Sequence, residues 1–586
     1  MSGIHRAASL SMHRQWLFGL LFGASVLALA FRMTLGVSFT DESYYAAFVV
    51  GWLKTGVANG NDLMVHQTAA LVVYPLVLLF HWISGGVNGL YLFLRYIYLA
   101  TAVLASLSLY LAVRRLRGSL SASFAAIFAL WFISFGLPAP SYDTLGMWCV
   151  LGALALFIYP LGHPDTRKFA GLPAAHWISS LSWAIAITAY PTMVMPMIGL
   201  VAMSMMLLRE PGDRGHVTRY ALVCVCFTVI AFVAVCVVLG PGHIRQMIIF
   251  TNSLNGISGG LQRKAHTAWE LLKSHRPFTV ACLAAAAVSG LSARRQWWIR
   301  IQPFDAILAA VFVGICVLST APTLFVYSHD IVLLMAIAGT GNVIRESFAE
   351  DSAGSDRALG VAYLTGLLAG LATMATAFNG ILNFPVGGFT AACLSMASMS
   401  PRTGHDGSRP NASILPGNQI HFAIRTIASA WICGVMIWTA FSTYYGDDIT
   451  VTRSYRMPEG VFAGMRASKD KVDFTGEVTA ALATVGKPSE KLAVLRGDSV
   501  IYLMSAMTPD TVTSWGPIVG SGERASNMID QFYLSPEHRP DVVVVDNRDA
   551  FWIPGLSEAS RKLLLDYAPV RRIVTGAYDV SIYRKR

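Results

Sequence analysis

Two adjacent carboxylates, Asp41 and Glu42, follow the first strongly apolar segment of the chain. That segment, residues 16–36, is long enough to cross a bilayer, because about 20 apolar residues in a helix span the hydrocarbon. A carboxylate held at a membrane surface can take the proton from a hydroxyl group as that group attacks a substrate. The pair is therefore a candidate catalytic site. Asp41 could also cap the helix that is predicted to follow it, and capping is compatible with catalysis.

A third carboxylate, Asp143, lies in a short polar loop, residues 138–146, between two later apolar segments. The same loop contains Tyr142. Proline and serine make this stretch a good turn, so Asp143 has a structural as well as a catalytic interpretation. Asp330 lies inside an apolar segment, where an ionisable residue is a candidate functional group. The slightly favoured interpretation is that Asp330 is one of several interfacial polar residues.

The composition predicts an integral membrane protein. Of the 586 residues, 54% are hydrophobic and only 13% are charged, whereas soluble domains carry about 25% charged residues. Residues 68–83 are apolar but short and contain Pro75, so we expect an interfacial or re-entrant helix there. We predict a polytopic α-helical protein with about thirteen transmembrane helices. Its predicted spans are 16–36, 94–113, 120–137, 145–161, 176–190, 192–208, 219–240, 277–292, 304–320, 322–342, 358–376, 386–399 and 421–441.

The remainder of the chain changes character. We assign residues 1–445 to a transmembrane domain and residues 446–586 to a C-terminal extracytoplasmic α/β domain. Strands alternating with helices favour a small α/β sandwich with a largely parallel sheet. The strand-like runs are 492–496, 541–546, 571–575 and 578–583, and the helical patterns are 474–485 and 558–567. The 8 cysteines all lie in apolar segments, and they predict neither a disulfide framework nor a metal site.

The net charge of +11 does not indicate nucleic-acid binding, because the excess lies mostly in short loops between apolar segments. Basic residues concentrate in the cytoplasmic loops of membrane proteins, and their distribution predicts a cytoplasmic N-terminus. The acidic pair and the C-terminal domain then lie outside the plasma membrane. One outer loop, residues 241–276, is basic and holds Arg245, Arg263 and Lys264. It could bind a phosphate or form a solvated amphipathic helix. The first segment resembles a signal peptide, but we expect it to remain uncleaved.

Residues 1–210 resemble the GT-C superfamily of polytopic glycosyltransferases, in particular the protein O-mannosyltransferases and the lipid A aminoarabinose transferases. Several elements carry the resemblance. An acidic residue stands early in the first outer loop, and a membrane-parallel helix follows His66. A Gly-rich turn at residues 84–89 precedes a second span led by Arg95. The second outer loop contributes Asp143, and the C-terminal part is similar to the extracytoplasmic domain of bacterial members.

The resemblance implies an enzyme that takes a sugar from a polyprenyl-phosphate donor in the lipid bilayer and gives it to an extracytoplasmic acceptor. It implies catalytic roles for Asp41, Glu42 and Asp143, with Asp41 as the base and Glu42 orienting it. The leaving phosphate is already charged, so it requires cations more than a proton donor. The implied substrate-binding residues are His66, Arg95, Tyr142, Arg245, Arg263 and Lys264.

The sequence leaves several alternatives open. The protein mannosyltransferases have a His-Pro-Pro-Leu-like motif, whereas His66 is followed here by Gln67 and Thr68, and this leaves the acceptor class open. No metal motif accompanies the carboxylates, so no cofactor is assigned and a divalent metal stays open. A transporter or flippase of lipid-linked glycans is the main alternative function, but we find no internal repeat of the kind that transporters carry. A third alternative is a non-catalytic assembly protein that presents the C-terminal domain.

Overall fold

The computed structural model describes most of the chain. The described residues are 2–56, 62–162, 168–208, 211–254, 326–348, 354–377, 380–400, 416–442, 454–515, 523–548 and 558–586, with residue 556 and a few positions between 265 and 313. The predicted spans 277–292 and 304–320 therefore lie mostly outside the described residues.

Helices make up nearly all of the described structure before residue 443. The helices up to residue 253 are α1 (Ser2–Met33), α2 (Asp41–Thr55), α3 (Gln67–Ser84), α4 (Leu90–Arg117), α5 (Ser119–Leu130), α6 (Tyr142–Ile158), α7 (Ala174–Ala189), α8 (Val194–Leu207), α9 (Pro211–Leu239) and α10 (Pro241–Ser253). The later ones are α11 (Val326–Ala338), α12 (Thr340–Phe348), α13 (Gly354–Thr376), α14 (Phe384–Met399) and α15 (Pro416–Ser442). A short antiparallel hairpin of two strands, β1 (Lys168–Phe169) and β2 (Leu172–Pro173), precedes α7.

Within the described residues, 7 helices are long and apolar enough to cross a membrane. They are Gln15–Met33, Gln67–Ser84, Leu90–Arg117, Arg214–Leu239, Asp356–Thr376, Gly380–Met399 and Gln419–Ser442. The outer surface of α9 is apolar and exposed, as a lipid-facing surface is. The chain is a mostly helical membrane protein, while the number of thirteen spans stays a prediction. The helix Gln67–Ser84 meets the length of a span, although its sequence favoured an interfacial or re-entrant helix.

Glycines allow the later helices to pack closely. A Cβ atom on Gly387 of α14 would lie 2.1 Å from the backbone oxygen of Ala369 in α13. A Cβ atom on Gly366 of α13 would lie 2.7 Å from the backbone nitrogen of Ala391. Such small residues let two backbones approach in a membrane, where van der Waals packing drives helix association. Gly339, where the predicted span 322–342 divides into α11 and α12, faces Ser395 of α14 in the same way.

The C-terminal region contains two sheets with helices around them. A small antiparallel pair joins β3 (Tyr455–Arg456) and β4 (Arg466–Ala467). The larger sheet contains the strands β5 (Lys491–Arg496), β6 (Thr508–Pro509), β7 (Val542–Asp546), β8 (Tyr567–Thr575) and β9 (Tyr578–Lys585). These strands lie in the order β6-β5-β7-β9-β8. The helices are α16 (Lys469–Val485), α17 (Glu523–Leu534) and α18 (Glu558–Leu564).

The larger sheet is mixed, whereas the sequence predicted a largely parallel one. β5 pairs in parallel with β6 and β7, but β9 is antiparallel to both β7 and β8. The reason is local. Thr575 and Tyr578 pair across a two-residue connection that begins with Gly576, whose φ is 55°, and such a tight turn joins only antiparallel strands.

The C-terminal region packs directly on the segment that precedes α2. The backbone N–H of Val500 donates to the carbonyl of Phe39 over 3.0 Å. The buried ammonium of Lys471 donates to the carbonyl of Val37 over 2.7 Å and lies 5.0 Å from the centroid of the Phe39 ring. These contacts place the acidic pair and the C-terminal region on the same side of the apolar helices.

Candidate functional site

The acidic pair lies in the first turn of α2. Asp41 is the first residue of this helix, and Thr40 precedes it without a side-chain capping bond. The proposed capping role of Asp41 is therefore not what starts the helix. Carboxylates in a first turn are still favoured by the partial positive charge of the helix N-terminus. The next turns of α2 are buried, and this burial fixes the orientation of the first turn.

The two carboxylates of the pair have different surroundings. Glu42 is buried and accepts two hydrogen bonds from the guanidinium of Arg95, at 2.5 Å from Nε and 2.7 Å from Nη2. Nη1 of Arg95 donates to the carbonyls of Met33 and Leu35. Arg95 is thus enclosed and engaged at all three nitrogens. This geometry does not fit its expected contact with a phosphate, and it gives Arg95 and Glu42 the task of holding α4 to the start of α2.

Asp41 is only partly buried, and its partner comes from the far end of the chain. The indole N–H of Trp515 donates to Oδ1 of Asp41 over 2.8 Å. The ring of Trp515 lies stacked against Tyr44, with 5.6 Å between the centroids. Asp41 therefore lies where the start of α2 meets the C-terminal region, and part of its surface is exposed.

Asp143 stands near Asp41 but on another helix. It lies in the first turn of α6, ahead of the apolar stretch that begins at Leu145. Ser141 caps this helix in a capping box with Thr144, which fixes the turn that carries Asp143. Nδ2 of Asn383 donates to Oδ1 of Asp143 over 3.4 Å. The pKa of Asp143 is raised to about 7, chiefly by burial. A hydrogen bond from Tyr142 opposes this rise, and the negative charge of Asp41 adds to it.

Aromatic rings line the space around the two aspartates. The imidazole of His66 stacks on the ring of Tyr142, with 3.9 Å between the centroids and 3° between the planes. His66 also lies 5.6 Å from Trp515. The ring centroid of Tyr142 lies 6.4 Å from that of Tyr45 and 5.1 Å from that of Tyr190, whose ring meets it edge-on. The predicted binding residues His66 and Tyr142 are therefore brought together beside Asp143.

His66 is neutral in this environment. Burial lowers its pKa to about 3, because desolvation disfavours the charged imidazolium. Within the described part of the chain, its Nδ1 has no hydrogen-bond partner although it is buried. A neutral imidazole with a free nitrogen can donate to or accept from a ligand hydroxyl, depending on its tautomer.

Asp62 is a site residue that the sequence did not single out. It is fully buried, and its Oδ2 accepts hydrogen bonds of 2.9 Å from both the N–H and the hydroxyl of Ser514. Its Oδ1 accepts from the N–H of Met64 over 3.1 Å. Burial raises the pKa of Asp62 to about 6, against these hydrogen bonds, which lower it. Asp62 thus ties the loop before His66 to the loop that carries Trp515, and no local motif marks it.

Of the basic residues predicted in the loop 241–276 to bind phosphate, Arg245 lies among the described residues. Arg245 is exposed on α10, whose opposite side buries Met247 and Phe250. Arg263 and Lys264 lie outside the described residues. Lys54 instead donates to the carbonyls of Ser505 and Met507, which ties the end of α2 to the C-terminal region.

Asp330, which the sequence marked as a candidate functional group, and its neighbour His329 are also placed. His329 accepts from the N–H of Phe135 over 3.0 Å, and its other ring nitrogen lies 2.7 Å from the carbonyl of Leu382. It therefore holds the connection between α5 and α6, in which Phe135 has a φ of 52°. Asp330 beside it is buried. Among the described residues, no group of three or more metal-ligating side chains comes together.

No family model matches the chain, and no curated protein matches it. Solved structures are similar to it. One is an Archaeoglobus fulgidus oligosaccharyltransferase tethered with an acceptor peptide containing the NVT sequon, at 11% identity and a TM-score of 0.49, covering 91% of this chain and 70% of that chain. Another is AglB from the same organism in complex with an inhibitory peptide and a dolichol-phosphate, at 12% identity, a TM-score of 0.46 and the same coverage, 91% and 70%.

A third similar structure is ArnT from Cupriavidus metallidurans, at 13% identity and a TM-score of 0.42, with 98% of each chain covered. These proteins belong to the GT-C superfamily, which residues 1–210 resemble in sequence. With TM-scores below 0.5, the likenesses say nothing further about the activity of this chain.

Proposed function

We propose that this protein is an integral-membrane glycosyltransferase. It moves a sugar from a polyprenyl-phosphate donor to an acceptor hydroxyl on the extracytoplasmic face, with the N-terminus in the cytoplasm and the C-terminal region outside. The observation that carries the proposal is the meeting of Asp41 and Asp143. They come from the first turns of two helices into one aromatic-lined site, at the end of an apolar helix.

The reaction needs a base that a substrate can reach, and Asp41, which is partly exposed, meets this need better than the buried Glu42. In the step we propose, the acceptor oxygen forms a bond to the anomeric carbon as the bond from that carbon to the phosphate oxygen breaks. The electron pair leaves with the lipid phosphate, and the proton of the acceptor hydroxyl goes to Asp41. Glu42 stays in its ion pair with Arg95 and keeps the first turn of α2 in place.

Asp143 has a second role in this proposal. Its pKa of about 7 leaves it partly protonated near neutral pH, so it can donate a hydrogen bond while Asp41 accepts a proton. Two neighbouring carboxylates whose environments separate their protonation states are a recurrent arrangement in acid–base chemistry. We assign Asp143 to a hydroxyl group of the donor sugar or the acceptor.

The aromatic rings suit the sugar. Binding sites for small molecules are lined mainly by apolar and aromatic groups, with a few polar groups that fix orientation. The stacked pair of Tyr142 and His66 offers a flat apolar surface, while the free Nδ1 of His66 offers one polar atom. We assign this pair to the sugar ring. We keep the lipid phosphate for the outer basic residues Arg245, Arg263 and Lys264, since Arg95 is already engaged.

The placement of the carboxylates favours transfer over transport. Transporters bind their cargo near the middle of the membrane, with ionisable residues on the pathway. Here Asp41, Asp62 and Asp143 lie around helix ends that contact the C-terminal region or the outer loops. This asymmetry supports chemistry at one membrane face.

The test is the release of polyprenyl phosphate. The full-length protein in lipid nanodiscs is incubated with a panel of polyprenyl-phosphate sugars, glucose, mannose, galactose, N-acetylglucosamine and arabinose, with a membrane extract as the acceptor source. We expect release from at least one donor and a loss of more than about a hundredfold in Asp41→Asn, the size of a typical general-base contribution. Asp473→Asn, which removes an exposed carboxylate of α16, is the matched control. No release from any donor, or full turnover by Asp41→Asn, would overturn the proposal.

A further inference from the structure

Trp515 contacts Asp41 from 474 positions away in the sequence. The indole N–H of Trp515 donates to the carboxylate of Asp41, and its ring stacks on Tyr44, which lies with Asp41 in α2. A second ring contact joins it to His66. A side chain that hydrogen-bonds the proposed base therefore comes from the C-terminal region.

The loop that presents Trp515 is held by many hydrogen bonds. The N–H of Trp515 donates to the hydroxyl of Thr513 over 3.0 Å. The hydroxyl of Thr511 donates to the carbonyl of Thr513 over 2.7 Å, and the hydroxyl of Ser499 donates to the carbonyl of Ser514 over 2.7 Å. These residues before Trp515 are buried. A side chain supported in this way loses little freedom when it holds a ligand or a catalytic group.

The same loop is fastened to the first outer loop at two points. Asp62 accepts the hydrogen bonds that the N–H and the hydroxyl of Ser514 donate. The N–H of Leu63 donates to the carbonyl of Val512 over 2.8 Å. The position of Trp515 is thus fixed relative to α2, where Asp41 begins the helix. A surface contact between two independent parts would not require a buried carboxylate at the junction.

We propose that Trp515 is a positioning residue for Asp41, so that the C-terminal region supplies part of the catalytic centre. This inference rests on the proposed function. The indole N–H holds Oδ1 of the carboxylate and so fixes the orientation in which Asp41 meets the acceptor hydroxyl. The N–H also favours the ionised form of the carboxylate, since a hydrogen bond to the charged form of an acid stabilises that form.

Two consequences distinguish this role from simple packing. Without the N–H, the carboxylate takes up its proton at a higher pH, so the acidic limb of the pH profile of kcat/KM moves upward. The expected shift is about one pH unit, because hydrogen bonds to charged groups are among the stronger ones. The loss of orientation lowers kcat more than it raises KM, since Trp515 acts through Asp41.

The experiment compares Trp515→Phe with the wild type in the polyprenyl-phosphate release assay from pH 4.5 to 8.5. We expect kcat to fall about tenfold, with the acidic limb moved to higher pH. Trp515→His, which restores a ring N–H, regains part of the rate. Trp177→Phe is the matched control, because it removes the indole N–H that donates to the carbonyl of Phe169, in a hairpin far from Asp41. It leaves rate and profile unchanged.

The outcomes separate this inference from the proposed function. If Asp41→Asn is inactive but Trp515→Phe keeps the wild-type rate and pH profile, the positioning role fails and the proposed function stands. If Asp41→Asn is fully active, the base assignment itself fails. In the Asp41→Asn background, Trp515→Phe should cause no further loss, and an additional tenfold loss there contradicts action through Asp41. If Trp515→Phe folds poorly, Thr513→Val takes its place, because it removes the hydroxyl that holds the backbone N–H of Trp515. The lower kcat and the upward move of the acidic limb are expected for this variant too.

Discussion

Glu42 and Arg95 bind each other through two hydrogen bonds, at 2.5 and 2.7 Å, in a space closed to solvent. The neighbouring Asp41 is partly exposed and bonded to Trp515. Adjacent carboxylates of the same chemical type therefore have different surroundings, one enclosed in an ion pair and the other partly exposed. The difference arises because successive residues at a helix start point in directions about 100° apart, so one meets α4 and the other meets the C-terminal region.

We expect Glu42→Gln to destabilise the protein strongly. Removing one partner of a buried ion pair leaves an uncompensated charge and costs about 3 to 5 kcal/mol. The measurement is the Tm in detergent, with Asp473→Asn as the control, because Asp473 pairs with Lys469 on an exposed helix surface and exposed pairs contribute only about 0.2 to 1 kcal/mol. Equal Tm values for the two variants would contradict a structural role for Glu42.

The stability of the protein should decrease as the pH rises from about 4 to about 6, in part because of Asp62. Its pKa of about 6 lies above the usual value of 3.8, so the folded state holds the proton more tightly than the unfolded state. The stabilising contribution of protonated Asp62 to the free energy of unfolding is present in full below about pH 4, and it is lost as the pH rises through about 6. A pKa that is raised by about two units corresponds to about 3 kcal/mol in the free energy of unfolding.

The comparison that isolates Asp62 is Asp62→Asn, followed by Tm from pH 4 to 7. The variant is less stable overall, because the amide nitrogen of Asn cannot accept from Ser514. Its Tm should fall less between pH 4 and 6 than that of the wild type, since other groups such as Asp143 are shared by both proteins. Parallel curves would show that Asp62 does not titrate in this window.

The stacked pair of His66 and Tyr142 should govern donor affinity. Tyr142→Ala removes a ring whose stacking contributes about 1 kcal/mol, so we expect the KM for the accepted polyprenyl-phosphate sugar to rise about fivefold. Tyr142→Phe keeps the ring and should change KM less than about twofold. Phe169→Ala, at an exposed ring in the β1–β2 hairpin, serves as the control. An equal defect in Tyr142→Phe would assign the effect to the phenol hydroxyl, which bonds to Asp143.

The topology can be tested with single cysteines in a cysteine-free background. Asp473 lies on α16, in the region that contacts the segment before Asp41. Arg115 lies at the opposite end of α4 from Arg95. We expect a cysteine at position 473 to react with an impermeant maleimide in intact cells, while one at position 115 is protected. Labelling of position 115 but not 473 would invert the proposed orientation, and labelling of both would contradict a membrane crossing by α4.

Much of the architecture follows from local sequence patterns. Most apolar segments of residues 16–36 and 94–240 form helices close to the expected positions, because a helix in lipid needs only a sufficient apolar run. In the C-terminal region, β5, β7 and β9 form at or within two residues of the strand-like runs. The antiparallel direction of β8 and β9 was missed. Strand direction depends on the connection and on the neighbour in the sheet, which a single run does not record.

The sequence by itself determined that the chain is a membrane protein, that carboxylates follow an apolar segment, and where the polar C-terminal region begins. Only the tertiary structure decided which carboxylate is enclosed in an ion pair and which is partly exposed. Arg95 pairs with Glu42 across 53 positions and Trp515 reaches Asp41 across 474, and no local pattern encodes such pairings. Burial is likewise a property of the packed structure, so the raised pKa of Asp62 and the neutral state of His66 follow from neighbours that come from distant parts of the chain.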